Sequence, residues 1–185
     1  MRSPDRHGAA LRPAARVLTS SLVRRVDRAL TLPVAETEPS RRVWRAVTAL
    51  GSRPVTYTAV ALHCCLGTAR GAVRWQPLVV LATGDAARKA LSLRIARPRP
   101  PEGALTSTHG PSFPSRHTAM ALLAVRLISG RRTRRYDGIA AAVAISRVVL
   151  RAHWPTDVIG GWALATAWLA LARAATSRAR TQPYG

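Results

Sequence analysis

Five apolar stretches, residues 55–69, 78–95, 118–129, 138–151 and 158–172, occupy most of the second two thirds of the chain and restrict the folds open to it. They read as five helices, punctuated by clusters of arginine, proline and glycine. They are individually short, since sixteen helical residues reach about 24 Å against a hydrocarbon core of roughly 30 Å. The mean hydropathy of the whole chain is only +0.02. The expectation is an all-α, membrane-embedded bundle of about five helices with its active site at one membrane face, the alternative being a soluble helical bundle.

Charge narrows the partners. The chain carries 29 basic against 8 acidic side chains, a net +21, which favours nucleic acid, an acidic membrane surface or phosphorylated substrates. Lipid phosphates satisfy two of these at once. Every basic residue but Lys89 is an arginine, and a lone lysine marks a place where a compact ammonium is useful. Cys64 and Cys65 are neighbours, a spacing that strains a disulfide and completes no zinc site, so both read as buried, reduced and structural. Residues 1–40 read as a basic tail, disordered or lying on a membrane surface, with one short amphipathic helix near 14–30. Residues 41–175 form the helical-bundle domain and 176–185 a basic C-terminal tail. No cleavable signal peptide is visible at the start, so membrane insertion falls to the internal helices.

Loop charge suggests an orientation. Arg131, Arg132, Arg134 and Arg135 crowd one connection, and Arg173, Arg178 and Arg180 follow the last apolar stretch. The positive-inside bias assigns both to the cytoplasm. Alternating helices then carry residues 115–117 and 153–157 to the opposite, extracytoplasmic side.

Those two segments carry the chemistry. In 146–157, Ser146 and His153 are seven residues apart, two helical turns, so a hydroxyl, the neighbouring Arg147 and an imidazole converge at one helix end. Pro155 opens the next helix and Asp157 falls in its first turn, where the helix dipole favours a carboxylate. Asp157 can accept the proton of one ring nitrogen of His153, fixing the tautomer and leaving the other nitrogen to attack. In Pro114-Ser115-Arg116-His117, Ser115 is placed as a helix N-cap whose neighbouring N–H groups face an anion, with His117 in the first turn. Upstream, Lys89, Arg97 and Arg99 follow an apolar helix that also holds Asp85 and Arg88. Asp85 is expected to pair with Arg88 or Lys89.

These blocks resemble the signature of the type 2 phosphatidic acid phosphatase superfamily, which also includes vanadium haloperoxidases and bacterial acid phosphatases. That signature runs Lys, six residues, Arg-Pro; then Pro-Ser-Gly-His; then Ser-Arg, five residues, His, three residues, Asp. The third block is complete here, and the second carries Arg116 in place of glycine. The first departs: Lys89 lies eight residues before Arg97 and ten before Arg99, and Ser92 stands seven before Arg99. The resemblance implies a lipid phosphatase that uses no metal and no cofactor, acting on an isoprenoid or glycerolipid phosphomonoester or diphosphate. His153 would be the nucleophile forming a phosphohistidine, Asp157 its orienting partner and His117 the general acid and base. Lys89, Arg97, Arg99, Ser115, Arg116, Ser146 and Arg147 would bind the phosphate. The implied partners are a lipid phosphate and the membrane, not nucleic acid, with oligomeric state open. The competing classes are a soluble vanadate-dependent haloperoxidase or acid phosphatase of the same superfamily, and a non-catalytic basic membrane-binding protein.

The orientation is open to a direct test. With Cys64 and Cys65 replaced, Thr106→Cys should react with a membrane-impermeant thiol reagent in intact cells and Thr133→Cys should not. The reverse pattern would put the site in the cytoplasm.

Overall fold

In the computed structural model, residues 17–18, 20–30, 32, 36–66, 75–130 and 136–181 are described. Among them seven helices and no strand occur: α1 (Ser21–Ala29), α2 (Glu38–Ala49), α3 (Arg53–Leu66), α4 (Gln76–Ile95), α5 (Arg116–Ser129), α6 (Asp137–Val149) and α7 (Pro155–Thr181). The last five coincide with the five apolar stretches. The arginine cluster at 131–135, together with Arg70 and Arg74, lies outside the described residues.

α5 is the axis of the bundle. It packs on α3, α4, α6 and α7, and every residue from Thr118 to Ala124 is buried, as expected of a helix that is apolar on all sides. Val60, Leu81, Val143, Ala165 and Leu169 close around it from the other four helices. Trp162 and Trp168 pack against this core. The close approach of α7 to α5 depends on Gly161, where a Cβ would stand 2.6 Å from the carbonyl oxygen of Ser115. Gly51 serves likewise between α2 and α3, since a Cβ there would lie 2.7 Å from both the carbonyl oxygen of His117 and Cγ1 of Val143.

The outward faces are apolar too. Val55, Leu62 and Leu66 on α3, Val79 and Leu93 on α4, Ile139 and Ile145 on α6, and Ile159 and Leu171 on α7 are all exposed. Apolar surface distributed around a bundle matches a lipid surround. Among the described residues one helix, α7, is by itself long and apolar enough to cross a bilayer, over Pro155–Arg178. At 13 or 14 residues, α3, α5 and α6 are shorter than a full span.

Three readings are refined by the structure. The short amphipathic helix expected near 14–30 is present as Ser21–Ala29, capped by Ser20, but it is docked on the bundle, with Asp27 fully buried. The reason is a tertiary ion pair described below, which no local pattern announces. At the other end α7 continues through residue 175 to Thr181. Cys64 is buried, but Cys65, one position round the helix, is exposed.

Gly161→Ala should destabilise the protein by about 1–3 kcal/mol through overpacking against α5, seen as a lower thermal midpoint in detergent. Gly138→Ala, where a Cβ meets nothing within 4 Å, should not.

Candidate active site

The antiparallel run of helices brings one end of each to a common place: the start of α3, the end of α4, the start of α5, the end of α6 and the start of α7. The 96–115 connection covers this end. Between them lies a cavity of about 420 Å³ whose lining includes Arg53, Arg88, Lys89, Arg99, Arg116, Arg147, His117 and His153, with no carboxylate among the lining residues. A space walled by cations and imidazoles suits a polyanion.

His153 sits in the link between α6 and α7. Arg151 takes a left-handed conformation at φ 52, and the amides of Ala152 and His153 both donate to the carbonyl of Arg147, at 2.9 and 3.1 Å. The link is thereby folded tightly back on α6. Nε2 of His153 lies 3.3 Å from Nη1 of Arg99. A guanidinium can only donate, so Nε2 is the lone-pair nitrogen and Nδ1 carries the proton. Nδ1 faces Oδ2 of Asp157 at 3.5 Å, a contact too long to count as a hydrogen bond, and has no other partner among the described residues. Asp157 is itself held by Ser112 Oγ and by the amide of Trp154 at 2.9 Å, both donating to Oδ2, and by Arg97 donating to Oδ1 at 2.6 Å.

Arg99 is fixed by backbone: it donates to the carbonyls of Gly110, Ala152 and His109 at 3.0, 2.6 and 3.0 Å. Arg147 donates from Nη1 to Thr48 Oγ1 on α2 at 2.8 Å, while its buried Nε has no protein partner. Behind the wall, Asp85 is shared by Arg53 at 2.8 Å and Arg88 at 3.2 Å. The expected Asp85–Arg88 pair is thus present, extended by an arginine from α3.

Of the ten residues singled out from sequence, Lys89, Arg99, Arg116, His117, Arg147 and His153 line the cavity, and Asp157 stands directly behind His153. Three do not line it. Arg97 is 2% exposed and turned the other way, between Asp157 and Asp27, with its guanidinium over the Trp154 ring at 5.6 Å. Two carboxylates hold it more strongly than the cavity could. Ser115 is at the N-cap position of α5 but makes no side-chain cap; its Oγ accepts from Thr118 Oγ1 at 3.0 Å. Ser146 Oγ donates to the Val143 carbonyl at 2.6 Å, a bond within the helix.

Of the two arginines that the first block left open, Arg99 lines the cavity and Arg97 does not. Ser92, seven residues before it, also lines the cavity, and Lys89 reaches the same space from one helical turn earlier. Sequence reasoning missed Arg53 and Ser112 entirely and took Arg88 only as a partner of Asp85. The available signal was an arginine on the same apolar helix as Lys89.

A family model described as the PAP2 superfamily matches residues 74–180. No curated protein matches the chain. Among solved structures, the fold is similar to the crystal structure of the first transmembrane PAP2 type phosphatidylglycerolphosphate phosphatase from Bacillus subtilis. That likeness has a TM-score of 0.76 and 22% identity, and covers 95% of each chain.

Burial holds the pKa of His153 down to about 4 from its ordinary 6.5, with Arg147 and Arg99 pushing the same way and Asp157 pulling back. The imidazole is therefore neutral at pH values above about 4. In the free protein, NMR of labelled histidine should place the His153 midpoint near 4, and Asp157→Asn should lower it further. A midpoint near 6.5 would contradict this environment.

Proposed function

Because the chain belongs to the PAP2 superfamily, we propose that it is a membrane lipid phosphatase that hydrolyses a lipid phosphomonoester or diphosphate through a phosphohistidine on His153. The observation that carries this reading is the lone-pair nitrogen of His153 facing a cavity walled by six cationic side chains and no carboxylate.

Nε2 of His153 attacks phosphorus as the bond to the leaving lipid oxygen breaks, and His117, protonated in the complex with the phosphate anion, gives that proton to the leaving oxygen and becomes neutral. In the second step His117 takes a proton from water, whose oxygen attacks the phosphohistidine, releasing phosphate and regenerating Nε2. Asp157 accepts from Nδ1–H throughout and balances the positive charge that develops on the ring. Arg99, Arg116, Arg147 and Lys89 neutralise the equatorial oxygens, where transition-state charge is spread. Arg53 and Arg88, sharing Asp85, add a second cationic wall suited to the rest of an anionic headgroup. With charge supplied by arginine, the reaction needs no metal. Among the described residues, no three His, Cys, Asp or Glu are grouped to hold one.

The apolar outward faces of the helices support a lipid substrate over a soluble one, since they keep the protein where lipid phosphates are. A phosphatidylglycerolphosphate phosphatase shares the fold, which makes a glycerolipid phosphomonoester a sensible first substrate, beside isoprenoid phosphates and diphosphates. We read the site as opening on the extracytoplasmic side, in keeping with the positive-inside bias of the sequence and with Arg173 far along α7 from the site.

The deciding experiment measures phosphate release from a panel of detergent-dispersed lipid phosphates in the presence of EDTA. Wild type should turn over at least one of them, and His153→Ala should lose activity by far more than tenfold while remaining folded, because it removes a covalent nucleophile. Turnover by His153→Ala within about tenfold of wild type, or a strict magnesium requirement, would reject the mechanism.

A further inference from the structure

We propose that Asp27, on the N-terminal helix α1, is a positioning residue of the active site, acting on His153 through Arg97 and Asp157. This rests on the phosphohistidine reading only for its kinetic consequence; the linkage itself is geometric.

Arg97, Asp27 and Asp157 are 2%, 0% and 0% exposed. A guanidinium so deeply buried must be paired, and its planar fork divides between the two carboxylates. Nη1 donates to Asp157 Oδ1 and Nη2 to Asp27 Oδ2, each at 2.6 Å. The second oxygen of Asp27 is also in use. Oδ1 accepts from the amide of Thr156 at 3.0 Å and from Thr156 Oγ1 at 2.8 Å, and Thr156 Oγ1 in turn accepts from Arg97 Nη1 at 2.7 Å. Asp27 therefore caps the first turn of α7 from another helix, the turn that carries Asp157.

The charge distribution follows from this geometry. Asp157 must orient the Nδ1–H of His153 while one of its oxygens is engaged by a full positive charge. If Arg97 had Asp157 as its only counter-ion, the carboxylate would be drawn from His153 and its charge largely cancelled. Asp27 takes half of the guanidinium, leaves Asp157 net negative charge for the imidazole, and pins the backbone on which Asp157 rides. Asp27 precedes residues 74–180, so the device is supplied by the N-terminal segment.

The test combines turnover with a spectroscopic signature that does not need turnover. Asp27→Asn should lower kcat by about tenfold or more, the scale typical of removing a residue that orients a ligating or reacting group, while KM changes less than threefold, about the scatter expected for groups that do not touch substrate. In the same variant, the Nδ1–H proton of His153, observed in 15N-histidine-labelled protein, should shift or be lost to exchange. A purely structural role would reduce the folded yield and leave both readouts of the folded fraction unchanged, overturning the inference. Should Asp27→Asn not fold, the Arg97→Gln background removes the buried charge that makes it unstable. There Asp27→Asn should cost less than about twofold further in kcat, because coupled residues are not additive, and an undiminished tenfold loss would show that Asp27 does not act through Arg97. If wild type hydrolyses no lipid phosphate, the function is wrong, and the His153 signal still decides the linkage in Arg97→Gln and Asp27→Asn. If wild type is active and Asp27→Asn changes neither kcat nor the signal, the linkage is wrong and the function stands.

Discussion

Arg97 is the knot of this molecule. A guanidinium at 2% exposure cannot be left without counter-charge, and meeting that requirement joins three parts of the chain that are far apart in sequence. The connection after α4 supplies the cation, α1 and α7 each supply a carboxylate, and Trp154 covers the flat face. Asp157, which faces Nδ1 of His153, is held in place by this arrangement.

Charge is segregated around the cavity. Cations and imidazoles face inward and carboxylates stand one layer back, with Asp85 behind Arg53 and Arg88, and Asp157 behind His153. The carboxylates lower the cost of gathering so much positive charge without competing with a phosphate for the lining groups. Their placement also explains why a formal charge of +21 is compatible with a folded end to the bundle. Rigidity comes from the backbone as much as from charge, because Arg99 is fixed by carbonyls of the 109–111 segment and by Ala152. A cation held by peptide groups is already in place when the anion arrives, which is the condition for electrostatic catalysis without reorganisation.

The bundle holds these parts at one end by an economical packing scheme. α5 is buried on all sides and the other four helices share their apolar surface between it and the exterior. Gly161 and Gly51 allow α7 and the α2–α3 turn to press on the backbone of Ser115 and His117. His117 is thus seated by close backbone contact and His153 by a folded link, two independent ways of limiting motion at the cavity.

The sequence by itself determined the five core helices, because their apolar runs are continuous and their interruptions are proline, glycine and arginine. It also determined the last motif, because Ser146 to Asp157 is a local pattern whose spacings are those of a helix end, a link and a helix start. His117, Arg116, Arg147, Lys89 and the Asp85–Arg88 pair were legible for the same reason. Tertiary structure alone decided which of Arg97 and Arg99 faces the cavity. The two differ by one Arg-Pro step, and the carboxylates of Asp157 and of Asp27, seventy residues away, draw Arg97 backward. It likewise decided that Ser115 and Ser146 bond within the protein, that Arg53 reaches Asp85 from α3, and that α1 is docked. Each of these depends on a partner distant in sequence, and the strength of a buried ion pair or hydrogen bond is set by that partner's burial and geometry, which have no periodicity along the chain.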